Sequence, residues 1–141
     1  MTTSPDLPHR PVVTAFLRHQ GRILLLRRSA RVGSYQGRWA AISGYLEVED
    51  PLLQARREIW EETGLAAEQT RLIARGTPLE VPAPELGWCW LVHPFLFEVE
   101  SPEAIQLDWE HSEMRWVSPD ELRDFPCVPA LEQALQRVST P

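Results

Sequence analysis

Residues 43–65 read SGYLEVEDPLLQARREIWEETGL, and the reading of this stretch decides the fold. Asp50 followed by Pro51 predicts a helix start, because an N-cap carboxylate satisfies free N–H groups and proline at the first position has none to lose. Gly64 predicts the stop, since the residue just past a helix often needs a positive φ. Between them Leu52, Ala55 and Ile59 recur at i, i+3 and i+7, an apolar stripe for a core. Glu58, Glu61 and Glu62 fall at i, i+3 and i+4 and share a neighbouring face. Each acid near a helix C-terminus opposes the dipole by about 0.3–1 kcal/mol. Arg57 precedes Glu61 by four residues, the weaker orientation for a helical ion pair. A helix built only for stability would reverse these charges, so the cluster points to function. Clustered carboxylates are what a hard divalent cation such as Mg²⁺ selects.

The run Arg57-Glu58-Ile59-Trp60-Glu61-Glu62-Thr63-Gly64-Leu65 resembles the second half of the Nudix box, the signature of the Nudix hydrolase family, and Glu49 matches that box's upstream glutamate. The first half is one residue short. Gly44 and Glu47 align with their usual counterparts if the loop carries a one-residue deletion, and Ser43 occupies the strictly counted glycine position. The resemblance implies an α/β fold, a Nudix-like α/β/α sandwich with a mixed central sheet. It implies hydrolysis, dependent on Mg²⁺ or Mn²⁺, of a pyrophosphate bond in a nucleoside diphosphate linked to another moiety. ADP-ribose or a nucleotide sugar is the first expectation for that moiety, with loop 77–87 reading it. Pyrophosphohydrolysis of (oxidised) nucleoside triphosphates is the alternative, and a non-catalytic nucleotide-sensing module is a second.

By the same resemblance Glu58, Glu61 and Glu62 hold the metal, and a buried Arg57 orients them. Glu47 and Glu49 support the metal ligands or tie the box loop to the helix, and Ser43 or Gly44 lends a carbonyl. The general base is Glu58 or a loop acid before the last strand, Glu110 or Glu113, with Glu110 preferred. Residues 39–45 also resemble, faintly, the segment before the box in isopentenyl diphosphate isomerases. Neither Cys89 nor Cys127 lies where that chemistry needs its cysteine, so the isomerase reading falls.

The rest of the 141-residue chain suits one domain, with residues 1–10 as a flexible tail and 11–141 as the folded unit. A net charge of −6 argues against a nucleic-acid partner and leaves a small nucleotide-type substrate. No apolar run is long enough for a membrane span and no leader is evident, so a cytoplasmic location is expected. Two cysteines without metal spacing read as free thiols. An edge strand or exchanged tail offers a route to a homodimer.

Strands are expected at 11–18, 23–28, 39–43, 71–76, 88–98 and 114–117. Pro94 marks a bulge or edge in the fifth of these, and the prolines of 77–87 forbid regular structure throughout. Arg27, Arg28 and Arg31 flank a Gly- and Ser-bearing loop that suits phosphate or substrate contact. Trp88 and Trp90 share one strand face, for core packing or for stacking on a base. Ser118-Pro119-Asp120-Glu121 predicts a capped helix start, and Leu131, Leu135 and Val138 line a final amphipathic helix from about Val128.

Overall fold

The structure is a computed structural model and describes residues 7–139. Its strands are β1 (His9–His19), β2 (Arg22–Arg28), β3 (Trp39–Ala40), β4 (Ile42–Tyr45), β5 (Thr70–Arg75), β6 (Leu79–Ala83), β7 (Trp88–Val99) and β8 (His111–Val117). Two α-helices, α1 (Pro51–Thr63) and α2 (Leu131–Val138), complete the regular structure apart from short 3₁₀ turns. β1 and β7 run parallel at the centre of the sheet, from His9 beside Cys89 to Arg18 beside Glu98. Every other pairing is antiparallel: β1 with β2 and β4, β2 with β3 and β8, β7 with β5 and β6.

Alternation along the central strands sends side chains into two cores. Val13, Ala15 and Leu17 of β1 pack with Phe95 and Phe97 of β7 beneath Ala55 and Ile59 of α1. Phe16 and Leu96 face the other way, towards Leu131, Leu135 and Val138 of α2. The continuous run Ile23–Leu26 is buried on both faces because both are covered by a helix layer. The result is the α/β/α sandwich with a mixed sheet that the sequence leads one to expect.

Several boundaries differ from expectation for physical reasons. His9 and Arg10, placed in the tail by the sequence, belong to β1, because parallel pairing with β7 extends the strand and Cys89 N–H donates to the Pro8 carbonyl at 2.9 Å. Residues 1–6 of that expected tail lie outside the described residues. The expected strand 39–43 splits at Ala41, where the chain leaves β2 and joins β1. Pro94 is neither at an edge nor in a bulge. It lies in the middle of β7 opposite Thr14, where β6 ends and β5 begins on the other side, so its missing N–H interrupts no pairing there. Segment 77–87 is not regular throughout, in keeping with its prolines, and holds the short strand β6 followed by a 3₁₀ turn. β8 starts at His111, three residues earlier than expected. The Ser118–Glu121 capping box forms, but it opens a 3₁₀ turn. α2 begins only at Leu131, after Ala130 in a left-handed conformation.

Candidate active site

α1 is closed at both ends as its sequence requires. Leu52 N–H donates to the Asp50 carboxylate at 2.9 Å, Pro51 occupies the first turn, and Gly64 turns the chain with φ 77°. The helix packs its apolar stripe on the sheet, and this rotation aims its acids. Glu58 and Glu62 turn into the protein, at 8% and 1% exposure, while Glu61 stays half exposed. The three carboxylates therefore divide instead of sharing one face. Among the described residues their oxygens do not close into a three-ligand cluster within 4.8 Å. Arg57 draws Glu61 outward, holding it through Nε at 3.1 Å, while the Glu58 and Glu62 carboxyls stay side by side.

Arg57 is half exposed and not buried as expected; its second contact is Glu47, at 3.6 Å. It orients Glu61 and ties the box loop to α1, and no contact with the inward glutamates is formed among the described residues. Glu49 is exposed and makes no side-chain bond among the described residues, so the loop is fastened by Glu47 and not by Glu49.

The inward glutamates are positioned by neighbours. Gln54, fully buried, accepts from Glu47 N–H at 2.9 Å and donates to Glu58 Oε2 at 2.8 Å, linking box loop to carboxylate. Sequence reading passed over Gln54, although its i, i+4 relation to Glu58 was the available signal. Gly44 lies so close to Glu58 that a Cβ there would overlap the carboxyl group, which explains why the glycine stands at 44 and Ser43 beside it tolerates a side chain. Glu62 has no hydrogen-bond partner for either carboxylate oxygen among the described residues. Its nearest basic neighbour, His111 Nε2, stands 3.6 Å away, beyond hydrogen-bond range, and His111 Nδ1 is engaged by Asp108 at 3.2 Å.

Glu110 comes to the same cleft from the turn before β8. Its N–H donates to the Asp108 carboxylate at 3.2 Å, and its carbonyl accepts from Ser29 N–H at 2.8 Å. Glu113, the other loop acid considered, is turned away into an ion pair with Arg27 at 2.8 Å.

Burial and crowding raise the pKa values of this group. Burial, then the charges of Glu110 and Glu58, pushes the Glu62 carboxyl far up; burial also raises Glu58, against the Gln54 hydrogen bond. Glu110 is pushed up to about 7, by burial first and then by Asp108 and Glu58. A buried carboxylate with both oxygens unpaired is costly unless a cation completes it. The oxygen-only donor set fits a hard divalent ion of the Mg²⁺ or Mn²⁺ kind.

Glu58 and Glu110 line one end of a cleft of about 490 Å³, and Glu62 is buried beside Glu58. Arg28 also lines it, near enough to Glu110 to oppose the rise of its pKa, with its Nε bonded to the Ser34 carbonyl at 2.8 Å. Of the other loop arginines, Arg27 pairs with Glu113, and Arg31 lies over the Trp109 ring at 5.7 Å. The far wall is aromatic. Trp88 and Trp90 meet edge to face at 5.4 Å, Trp90 Nε1 donates to the Tyr35 hydroxyl at 3.1 Å, and Tyr45 lies 6.1 Å from Trp90. Arg10 stacks over both Trp88 and Tyr45. The two tryptophans are thus cleft residues, whereas Trp39 packs in the core against Phe125.

The family model described as NUDIX domain matches residues 8–138, and the chain belongs to the Nudix hydrolase family. It is a pyrophosphohydrolase of the Nudix type. The chain is similar to the CTP pyrophosphohydrolase of Escherichia coli, with 29% identity over 84% of this chain and 83% of that protein. It is also similar to an RNA pyrophosphohydrolase of Cereibacter sphaeroides, with 28% identity over 82% of this chain and 80% of that one. Among solved structures, a MutT protein from Methanosarcina mazei superposes with a TM-score of 0.73 at 25% identity, covering 95% of each chain. Nudix hydrolases generally use divalent metal ions and act on small nucleotide-type substrates. Among the described residues no helix is long and apolar enough to cross a membrane.

Proposed function

We propose that this protein hydrolyses the pyrophosphate bond of a free nucleoside triphosphate, with Glu58 and Glu62, joined by Glu61, holding Mg²⁺ or Mn²⁺. The observation that carries this reading is the make-up of the cleft: Glu58 and Glu110 line it, with the unpaired Glu62 buried beside Glu58, and they share it with Arg28 and an aromatic wall. A triphosphate laid along it has its charged end at the acids and its base on the tryptophans. When bound, the divalent ion supplies charge neutralisation for phosphate oxygens and lowers the pKa of water. Glu110 serves as the base that takes the proton of the attacking water, since a carboxylate held near the working pH both accepts and releases protons well. Arg28 faces the phosphates, and its charge offsets part of theirs. Trp88 and Trp90 take the base, each such stack being worth ~1–3 kcal/mol.

ADP-ribose is the weaker reading. It has segment 77–87 read the second moiety, but Val81 and Leu86 are the residues of this segment that line the cleft, and Glu80 pairs with His9 on the opposite face of the sheet. An RNA end is disfavoured by the net charge of −6.

The test is product analysis with Mg²⁺ on CTP, the other nucleoside triphosphates, their oxidised forms and ADP-ribose. The reading expects a nucleoside monophosphate and pyrophosphate from a triphosphate, and little from ADP-ribose. AMP and ribose 5-phosphate from ADP-ribose, with triphosphates untouched, would reverse the order of the two readings.

A further inference from the structure

The back of the aromatic wall carries a second set of metal-type ligands. β1, β7 and β6 are neighbours in that order, and side chains alternate between the faces of each strand. On the cleft face stand Trp88 and Trp90 of β7 and Val81 of β6, with Arg10 of β1 stacked on Trp88. The residues next to them in sequence point the other way: His9, Cys89 and Glu80. Their ligand atoms, a His nitrogen, the Cys89 sulfur and a Glu80 carboxylate oxygen, all lie within 4.8 Å of one another. His9 Nε2 stands 3.7 Å from Glu80 Oε1. Among the described residues this is the one place where three such atoms converge so closely.

We propose that His9, Glu80 and Cys89 form a binding site for Zn²⁺ or a cation of similar softness, distinct from the oxygen site of the active centre. The donor set decides the class of ion. One imidazole, one thiolate and one carboxylate suit Zn²⁺ and not Mg²⁺, which wants oxygen alone. Zinc bonds of roughly 2.0–2.3 Å place ligand atoms ~3.5 Å apart in a tetrahedron, so the trio needs only a small closure. The closure is available, because the His9 and Glu80 side chains are 45% and 64% exposed while Cys89 is fixed in the sheet at 5%. Solvent reaches the fourth position from the His9 and Glu80 side. On binding, the sulfur–hydrogen bond of Cys89 breaks, its proton leaves to solvent, and sulfur donates its electron pair to the metal; no oxidant or reductant enters. An ion there ties the first residue of β1 to β6 and β7, and each ligand adjoins a residue of the cleft wall or one stacked on it. Occupancy of the site is therefore coupled to the surface that receives the base.

The experiment measures zinc affinity by competition with a chromophoric chelator, in excess Mg²⁺, on the full chain carrying Glu62→Gln. That background weakens the oxygen site, and the readout needs no turnover, so it is independent of the proposed reaction. One equivalent of zinc per chain is expected, weakened at least tenfold by His9→Ala and by Cys89→Ser. His9 is exposed, so its substitution keeps the test valid if Cys89→Ser folds poorly. With Co²⁺ as probe, a thiolate charge-transfer band should appear, persist in Cys127→Ser and vanish in Cys89→Ser. No stoichiometric binding, binding unchanged by His9→Ala, or a cobalt band that depends on Cys127 would each overturn the assignment.

Discussion

The two ends of the cleft are built by opposite strategies. The acid end draws mainly on one continuous stretch, the box loop and α1, with Glu110 added from the turn before β8. The aromatic end draws Arg10, Tyr35, Tyr45, Trp88 and Trp90 from four separate segments. The acid end is electrostatically unfinished: Glu62 is almost wholly buried with neither oxygen bonded, and the pKa values of Glu58 and Glu110 are held above the ordinary carboxylate range. The aromatic end is packed against itself by edge-to-face rings, a hydrogen bond from Trp90 to Tyr35 and a stacked arginine, with the Trp88 indole N–H left unpartnered among the described residues. One end therefore needs a ligand to become stable, and the other offers a preformed surface. Chemistry belongs to the first and recognition to the second.

Substitutions at the two ends should separate accordingly. The largest effect is expected for Glu62→Gln, which loses about a thousandfold or more in kcat because metal charge stabilisation is worth several kcal/mol. Its metal-free melting temperature should be unchanged or higher, since a neutral amide removes an uncompensated buried charge. Glu110→Gln should cost about 10²–10³-fold in kcat, within the usual range for a general base. Because the base works deprotonated, the wild-type rate should rise with pH through about 7, and the Glu110→Gln profile should lose that rise. At the other end Trp90→Ala should raise KM by roughly 5- to 150-fold, matching ~1–3 kcal/mol of stacking, and leave kcat nearly intact. A kcat loss at Trp90 as large as at Glu110 would erase the division between the ends.

The smallest effect is on stability. Glu58, Glu62 and Glu110 all have folded-state pKa values raised above the ordinary 4.5. Between the unfolded and folded values the native state binds more protons, so stability falls as pH rises through that window. The metal-free protein should accordingly melt at lower temperature at pH 8 than at pH 5, and saturating Mg²⁺ should reduce the difference. Thermal melts at the two pH values with and without the ion check this.

The same contrast explains what could be read in advance. The acid end was legible because helix periodicity and both caps lie in one continuous stretch, so Asp50, Gly64 and the inward rotation of Ala55 and Ile59 follow from local rules. The split between Glu61 and its two neighbours was not, because it depends on how α1 is rolled against the sheet. The aromatic wall was nearly invisible. Arg10 meets Trp90 only through the parallel register of β1 and β7, which no local pattern encodes. β6 was obscured by its proline, which an edge position tolerates. The late start of α2 depends on Ala130 adopting a positive φ of 65°, which alanine gives no reason to expect.

The central claim is that the buried acids of α1 are an incomplete cation site. The most direct measurement is Mn²⁺ binding, followed by electron paramagnetic resonance of the free ion, to the wild type and to Glu62→Gln in parallel. Saturable binding by the wild type, weakened at least tenfold in the variant, is the predicted result. Equal binding by the two proteins would contradict the account.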